Sequence, residues 1–349
     1  MINVNSFCTF QKLKSVILGK SLSKDHFSHI TDIKIKDPLW KVLDETEEDF
    51  QNFEQILKSF GVKVHRPDIN AASGSSIRIP KPPHQPRDDM VVVGNKLYVC
   101  NPLKEYGKIF DEIGAQNIHH PGDHLEMDQL PYTYSDQHQQ YPDQQKLLTS
   151  SFIHRLGKDI FWGTHRPGWR DHPFVSYYKN LWEQQGHRVT LLENEGHGDC
   201  TWCILKPGVI VTLFDVNNYK ELFPGWDVLY VDDKYWDQLS PFRSMKRKVA
   251  GRWWIKGEEN NNNLIKYVET WLKDWVGYVE ETVFEINMLS IDERTVIVNN
   301  YNKKVFDFLK KHNIEPIIAR QRHRWFWDGG VHCITQDLER EGGMEDYLS

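Results

Sequence analysis

The sequence has no apolar run that approaches the roughly 18 consecutive apolar residues of a membrane-spanning helix. Its first 14 residues mix Asn, Ser, Gln and Lys and contain no apolar segment, so we expect neither a secretory signal nor a transit peptide. An excess of positive charge is also missing, because 43 basic residues face 49 acidic ones and the net charge is −6. We therefore expect no nucleic-acid partner that relies on a positive field.

Cysteine is scarce, with five residues in a chain of 349. This odd number is typical of reduced thiols in a cytoplasmic protein. Cys200 and Cys203 have the spacing of a zinc or redox pair, but no second pair accompanies them. We expect them to lie on a strand and hairpin, where residues three apart point to opposite faces. The sequence also lacks Gly-x-Gly-x-x-Gly, a Walker loop and Gly-x-Ser-x-Gly. We therefore expect no metal, and neither a nucleotide-binding protein nor a serine hydrolase is supported.

Aromatic residues are abundant, at 13% of the chain with 13 Trp, which excludes intrinsic disorder. Most of the tryptophans are expected in the core or in a dimer contact. No linker divides the sequence, so we expect residues 1–349 to form a single α/β domain.

A helix-like stretch that ends at Gly or Asn and leads into a β-branched run occurs five times. Gly and Asn favour the left-handed conformation that ends a helix. The terminating residues are Gly61, Gly114, Gly186, Gly225 and Asn313. Tight strand–turn–strand patterns follow at 90–99, 204–213 and 288–298. The repeats predict either a closed ring of about five similar α/β units or an ordinary sheet in which helix and strand alternate.

Three polar segments lie next to these repeats, at 86–89, 196–199 and 328–333. In a ring of equivalent units, equivalent positions converge around the axis. A thiol nucleophile, an imidazole and two carboxylates would then share one pocket. These residues are Asp88, His197, Asp199 and Cys333. Each also has a structural interpretation, as a turn residue, a surface pair or a small buried side chain.

These segments together resemble the arginine:glycine amidinotransferase family of the pentein superfamily. The likeness runs nearly from end to end, and Pro86-Arg-Asp-Asp89 and Gly329-Gly-Val-His-Cys333 are its most specific parts. The resemblance implies a five-unit α/β propeller, which agrees with the ring interpretation of the repeats. It also suggests a homodimer.

The resemblance further implies a reaction on L-arginine. Cys333 would attack the guanidinium carbon, and His197 would protonate the departing amine, which releases ornithine. The same His197 would then deprotonate an amine acceptor, glycine or a similar amine, that takes the amidino group. Asp88 and Asp199 would bind the guanidinium NH groups, and no cofactor would be needed.

The sequence departs from the family at three places. The family carries an Asp before its Gly-Arg-Asp-Ile-Phe motif, whereas Leu148–Phe152 holds no carboxylate. An Arg that binds the substrate carboxylate has no counterpart in 213–216, and a Ser pair is replaced near Glu280 and Glu281. The alternative is therefore a pentein hydrolase in which water releases ornithine plus urea, or citrulline plus ammonia. A non-catalytic protein that binds a cation is disfavoured by the complete Cys, His and Asp set.

Overall fold

The structure is a computed structural model. It describes residues 1–69, 81–121, 148–164, 170–193, 198–213, 215, 217–231, 253–272, 275–276 and 285–349.

The described strands form five sheets of three strands each, with the same connectivity in every sheet. Two strands pair antiparallel, as a hairpin in four of the sheets and as the last and first strands of the chain in the fifth. A third strand, reached through a helix, pairs in parallel with the second. In chain order the strands are β1 Leu13–Leu18, β2 Lys63–His65, β3 Met90–Val93, β4 Lys96–Val99, β5 Ile118–His119, β6 Ile153–Leu156, β7 Asp159–Gly163, β8 Arg188–Leu192, β9 Trp202–Lys206, β10 Val209–Thr212, β11 Asp227–Tyr230, β12 Leu289–Asp292, β13 Thr295–Val298, β14 Glu315–Ile318 and β15 Thr335–Arg340.

The described helices are α1 Ile33–Ser59, α2 Gly107–Ile113, α3 Pro173–Gln184, α4 Tyr219–Leu222, α5 Asn262–Trp271, α6 Lys303–Lys311 and α7 Arg324–Trp327. Five of the helices connect the second strand of a sheet to its third strand, and the other two, α5 and α7, lie between consecutive sheets. None of the helices in these described segments is long and apolar enough to cross a lipid bilayer.

One of the five sheets joins the two ends of the chain. Strand β15 pairs antiparallel with β1, with Asp337 opposite Val16, and β1 pairs in parallel with β2. The sheets are separate from one another, so the alternative of one ordinary α/β sheet is wrong. The fold is the five-unit α/β propeller that the repeats and the resemblance predicted.

All five predicted helix ends adopt the left-handed backbone conformation. The φ angles are +76° at Gly61, +85° at Gly114, +97° at Gly186, +82° at Gly225 and +56° at Asn313. In four of these units the third strand begins two residues later. A short helix-ending turn therefore sets the direction of the parallel strand in each unit.

A large aromatic cluster lies where α1 meets α5 and α7. Trp253, Trp254, Trp275 and Trp327 are buried there, whereas Trp271 is 43% exposed. The prediction that most of these tryptophans belong to the core is confirmed.

Candidate active site

The five units each present one residue two positions before their first strand. In chain order these residues are Asp88, Ser151, Cys200, Asn287 and Cys333. Hydrogen bonds join several of the segments that contain them. The Gly198 amide donates to the Ser151 carbonyl oxygen over 2.7 Å, and the Ser150 amide donates to the Met90 carbonyl oxygen over 3.1 Å. The equivalent ends of neighbouring units thus meet.

Cys333 is the centre of this meeting point and is 1% exposed. The Asn287 Nδ2 donates to its Sγ over 2.8 Å, and Sγ lies 3.3 Å from Asp199 Oδ2. The Asn287 Oδ1 accepts hydrogen bonds from the amides of His332, over 2.8 Å, and Cys333, over 3.3 Å. Asn287 therefore fixes both the backbone and the sulfur of Cys333.

The turn before Cys333 requires two glycines because other side chains approach its backbone closely. A Cβ at Gly329 would lie 2.4 Å from Gln85 Nε2 and 3.0 Å from the Cys333 Cβ. A Cβ at Gly330 would lie 2.6 Å from Asn299 Nδ2 and 2.7 Å from Asn287 Oδ1. The Gly-Gly pair thus lets the polar side chains that orient Cys333 reach it.

Asp199 lies in a short 3₁₀ turn, Gly198–Cys200, and is 2% exposed. Its Oδ1 accepts from the Cys200 thiol over 3.3 Å, and its Oδ2 lies 3.1 Å from His332 Nδ1. The expectation that Cys200 lies on a strand is wrong, since β9 begins at Trp202. The turn instead directs the Cys200 sulfur toward Asp199 and Cys333.

His332 is a second imidazole at the site. Burial, together with the nearby Arg87 charge, lowers the pKa of His332 to about 4, even though Asp199 opposes the change. The ring is therefore neutral near pH 7, and its Nδ1–H donates to Asp199. His332, Asp199 and Ser290 also line a small cavity with room for about one water molecule.

A cluster of buried charged side chains, centred on Asp337, lies next to the site. The Asp337 carboxylate contacts Arg155 Nη2 at 2.8 Å, Arg340 Nε at 3.1 Å and Arg87 Nη2 at 3.2 Å. All four residues are at most 2% exposed. Burial alone would raise the pKa of Asp337, but the three arginines hold it well below its usual range. Three cations around one anion leave a positive excess next to the Cys333 loop.

Arg87 is the member of this cluster that contacts the Cys333 loop. Its Nε donates to the His332 carbonyl oxygen over 2.7 Å, and its guanidinium interacts electrostatically with Asp199 and Cys333. A thiolate on Cys333 would lie beside the Asp199 carboxylate, and the Arg87 charge and the Asn287 donor offset that repulsion.

The structure brings together two of the four residues predicted to form the site, Asp199 and Cys333. Asp88 is partly buried and ends a 3₁₀ turn, Pro86–Asp88. That turn is tied to the Gly329 loop, because Gln85 donates to the carbonyl oxygens of Trp327 and Asp328. His197 lies outside the described residues.

Sequence reasoning did not identify Arg87, Asn287 or His332 as site residues. A usable signal existed for Asn287, because it precedes the predicted hairpin at 288–298 as Asp88 precedes the hairpin at 90–99. No such local signal marks Arg87, whose partners His332 and Asp337 are more than 240 residues away in the sequence.

The segment that departs from the family lies beside Asp199. Thr149, Ser150 and Ser151 are buried, and the hydroxyls of Thr149 and Ser151 lie 2.8 Å apart. Hydroxyl groups thus stand where the resemblance places a carboxylate.

One set of metal-ligand atoms occurs among the described residues. Asp199, Cys200 and Cys333 each offer one, and these atoms lie within 4.8 Å of one another. The same groups surround the candidate nucleophile, and the donor set lacks a fourth ligand in the described part of the chain. We assign no metal to it.

No protein-family model matches the chain. Among curated proteins it is similar to the L-arginine:L-lysine amidinotransferase of Pseudomonas savastanoi pv. phaseolicola. That protein is 22% identical over 340 residues, which cover 88% of this chain and 82% of the relative.

Solved amidinotransferase structures share the fold. One comes from the saxitoxin biosynthetic pathway of Microseira wollei, with a TM-score of 0.63, 19% identity and 99% of both chains covered. The inosamine-phosphate amidinotransferase of Streptomyces griseus has a TM-score of 0.64, 17% identity and complete coverage of both chains. The chain is thus similar to amidinotransferases along most of its length, and it shares the five-unit pentein fold of the solved amidinotransferase structures.

Proposed function

We propose that this protein transfers the amidino group of L-arginine through Cys333 to an amine acceptor, glycine or a similar amine, and releases L-ornithine. The observation that supports this proposal most strongly is the pair of groups that contact the Cys333 sulfur. Cys333 Sγ lies 2.8 Å from an amide donor, Asn287 Nδ2, and 3.3 Å from a buried carboxylate, Asp199 Oδ2. A nucleophilic sulfur next to an anion suits a substrate that is a planar cation.

The first half of the reaction forms a covalent intermediate. The Cys333 thiolate attacks the guanidinium carbon, while Asp199 and Asp88 accept hydrogen bonds from the guanidinium NH groups. His197 then gives a proton to the departing nitrogen, the C–N bond breaks, and ornithine leaves an amidino group on the sulfur. The substrate cation also neutralises Asp199, so arginine binding itself favours the thiolate.

The second half reverses these roles. An amine attacks the amidino carbon, His197 takes its proton, and the C–S bond breaks to return the Cys333 thiolate. The acceptor is proposed only as a class, because the similar proteins are named for lysine and inosamine-phosphate substrates. No cofactor takes part. We include in the proposal a cytoplasmic homodimer, with residues 1–349 as a single domain and no nucleic-acid or membrane partner.

A hydrolase is the second candidate. It is favoured by Thr149 and Ser151, whose hydroxyls lie beside the Asp199 turn and can hold a water molecule. Water in place of the amine would release urea from the amidino-cysteine and return the Cys333 thiolate. If Cys333 attack instead expels ammonia, the rest of the arginine stays on the sulfur, and water then releases citrulline and the thiolate.

Product identity separates the candidates. The protein is incubated with arginine alone, and then with arginine plus glycine, lysine or another primary amine, and the products are identified by mass. Ornithine together with an amidinated amine supports the transferase. Urea or citrulline formed without an amine supports the hydrolase, and no turnover of arginine under any condition overturns both.

A further inference from the structure

We propose that Cys200 and Cys333 form a reversible disulfide when the protein meets hydrogen peroxide, and that this bond switches the site off. The loss of activity rests on the proposed function of Cys333, whereas the bond itself does not. Cys200 is then a resolving cysteine that protects its neighbour from irreversible oxidation.

The two sulfurs are already close. Together with a carboxylate oxygen of Asp199 they lie within 4.8 Å of one another. Cys200 Sγ is 3.3 Å from Asp199 Oδ1, and Cys333 Sγ is 3.3 Å from Asp199 Oδ2. The two thiols thus contact the two oxygens of one carboxylate. Side-chain rotation at both cysteines has to close the gap to the roughly 2.05 Å of a disulfide.

The repeated fold explains the pairing. Cys200 and Cys333 each lie two residues before the first strand of their unit, β9 and β15. Equivalent residues of different units face the same meeting point, so two cysteines that are 133 positions apart become neighbours.

Cys333 is the sulfur expected to react first. The Asn287 Nδ2 donor at 2.8 Å and the charge of buried Arg87 stabilise its thiolate, which is the form that attacks peroxides. Its sulfur attacks one peroxide oxygen, the O–O bond breaks, and the products are a sulfenic acid on Cys333 and hydroxide. The hydroxide takes up a proton and leaves as water.

Cys200 completes the oxidation. Its thiol proton passes to Asp199 Oδ1, and its sulfur attacks the sulfenic sulfur. The S–S bond forms as the S–O bond breaks, and the second oxygen leaves as water. Two thiols are thereby oxidised by two electrons in total and one peroxide is reduced to two waters. A thiol reductant reverses the change.

The other three cysteines are less suited to this chemistry. Burial raises the pKa of Cys203 and of Cys8 to about 12, so their thiolates are rare at neutral pH. Cys100 donates to the Leu148 carbonyl oxygen over 3.1 Å. Cys203 lies three residues from Cys200 and provides a matched control.

The experiment treats the full-length protein with hydrogen peroxide, blocks free thiols with iodoacetamide and maps the peptides by mass. We expect a linked peptide pair that contains Cys200 and Cys333, about 2 Da lighter than the two reduced peptides. Dithiothreitol should separate the pair and restore Cys333 labelling, which peroxide should have lowered by about tenfold. Cys203→Ser should behave like the wild type.

The Cys200→Ser variant tests the protective role. Without a resolving thiol, Cys333 should proceed to the sulfinic acid, about 32 Da heavier, which dithiothreitol does not reverse. Cys200→Ala repeats the test if the Ser variant folds poorly, and mapping of the wild type needs no variant. A wild type that yields sulfinic acid on Cys333 with no Cys200–Cys333 pair overturns the proposal, as does a pair that joins other cysteines.

Arginine separates this inference from the proposed function. Saturating arginine should protect Cys333 from peroxide if arginine binds beside it. A disulfide that forms at the same rate with and without arginine counts against the proposed substrate and leaves the disulfide standing. If the protein turns over arginine but forms no Cys200–Cys333 pair under peroxide, the proposed function stands and the disulfide proposal fails.

Discussion

Arg87 donates a hydrogen bond from its Nε to the carbonyl oxygen of His332 over 2.7 Å, one residue before the candidate nucleophile. The same guanidinium contacts Asp337 at 3.2 Å through Nη2. A single buried cation thus connects the central charge cluster to the Cys333 loop. This connection predicts that Arg87 supports the thiolate as well as the fold.

Replacing Arg87 tests that role. Arg87→Met removes the charge, so the pH at which iodoacetamide alkylation of Cys333 reaches half its maximal rate should rise by about one unit. Arg87→Lys keeps the charge and loses the planar fork, so its midpoint should rise less. The methionine variant should also lose about 3–5 kcal/mol of unfolding free energy, because it breaks a buried ion pair. Equal midpoints in all three proteins would make Arg87 purely structural.

Asn287→Asp should lower turnover by about ten- to a hundred-fold. Aspartate keeps an oxygen for the His332 and Cys333 amides but replaces the donor that lies 2.8 Å from the sulfur with an anion. Loss of a hydrogen bond to a charged group is worth about 1.5–3 kcal/mol. Steady-state kinetics provide the measurement, and Asn262→Asp, the same charge change at an exposed site, is the control. A normal rate in the Asn287 variant would contradict the assigned contact.

Stability should fall as the pH is lowered from about 6.5 toward 4, in part because of His332. Burial lowers the pKa of His332 to about 4 in the folded protein, whereas it is about 6.5 in the unfolded chain. The unfolded state therefore binds more protons in this window, and the unfolding free energy decreases with decreasing pH.

His332→Asn isolates this contribution. Between pH 6.5 and 4 the variant should lose less unfolding free energy than the wild type, by an amount on the order of 3 kcal/mol. Urea titrations at several pH values measure it. Parallel pH profiles for the two proteins would mean that His332 titrates alike in both states.

Asp88→Asn tests guanidinium binding without turnover. In a Cys333→Ala background the change should weaken arginine binding by about ten- to a hundred-fold, since it removes a charge-assisted hydrogen bond worth roughly 1.5–3 kcal/mol. Calorimetry reads the affinity directly. Asp111→Asn, an exposed residue on α2, controls for net charge and should bind as tightly as the parent. Unchanged affinity in the Asp88 variant would leave it as a turn residue.

The local parts of the fold were predictable because their chemistry is local. Gly61 and Asn313 end helices through their own backbone preference, and the hairpin at 90–99 follows from its two-residue turn. Equivalence between units then predicts that Asp199 and Cys333 lie in the same site. The same equivalence applied to 288–298 would have added Asn287.

The remaining features depend on partners that are distant in the sequence. Arg87 is defined by His332 and Asp337, and local pattern contains nothing about either contact. The residues that follow Cys200 favour strands, so local pattern predicts a strand there. In the structure the Gly198 amide donates to the distant Ser151 carbonyl oxygen, and Cys200 ends a 3₁₀ turn, Gly198–Cys200, before β9 begins.

The most direct test of the central claim is intact-mass measurement after arginine is added without an amine acceptor. The account predicts one amidino group on Cys333, located by peptide mapping, discharged when an amine is supplied and missing in Cys333→Ala. An adduct that persists in Cys333→Ala, or arginine turnover by that variant, would contradict the account.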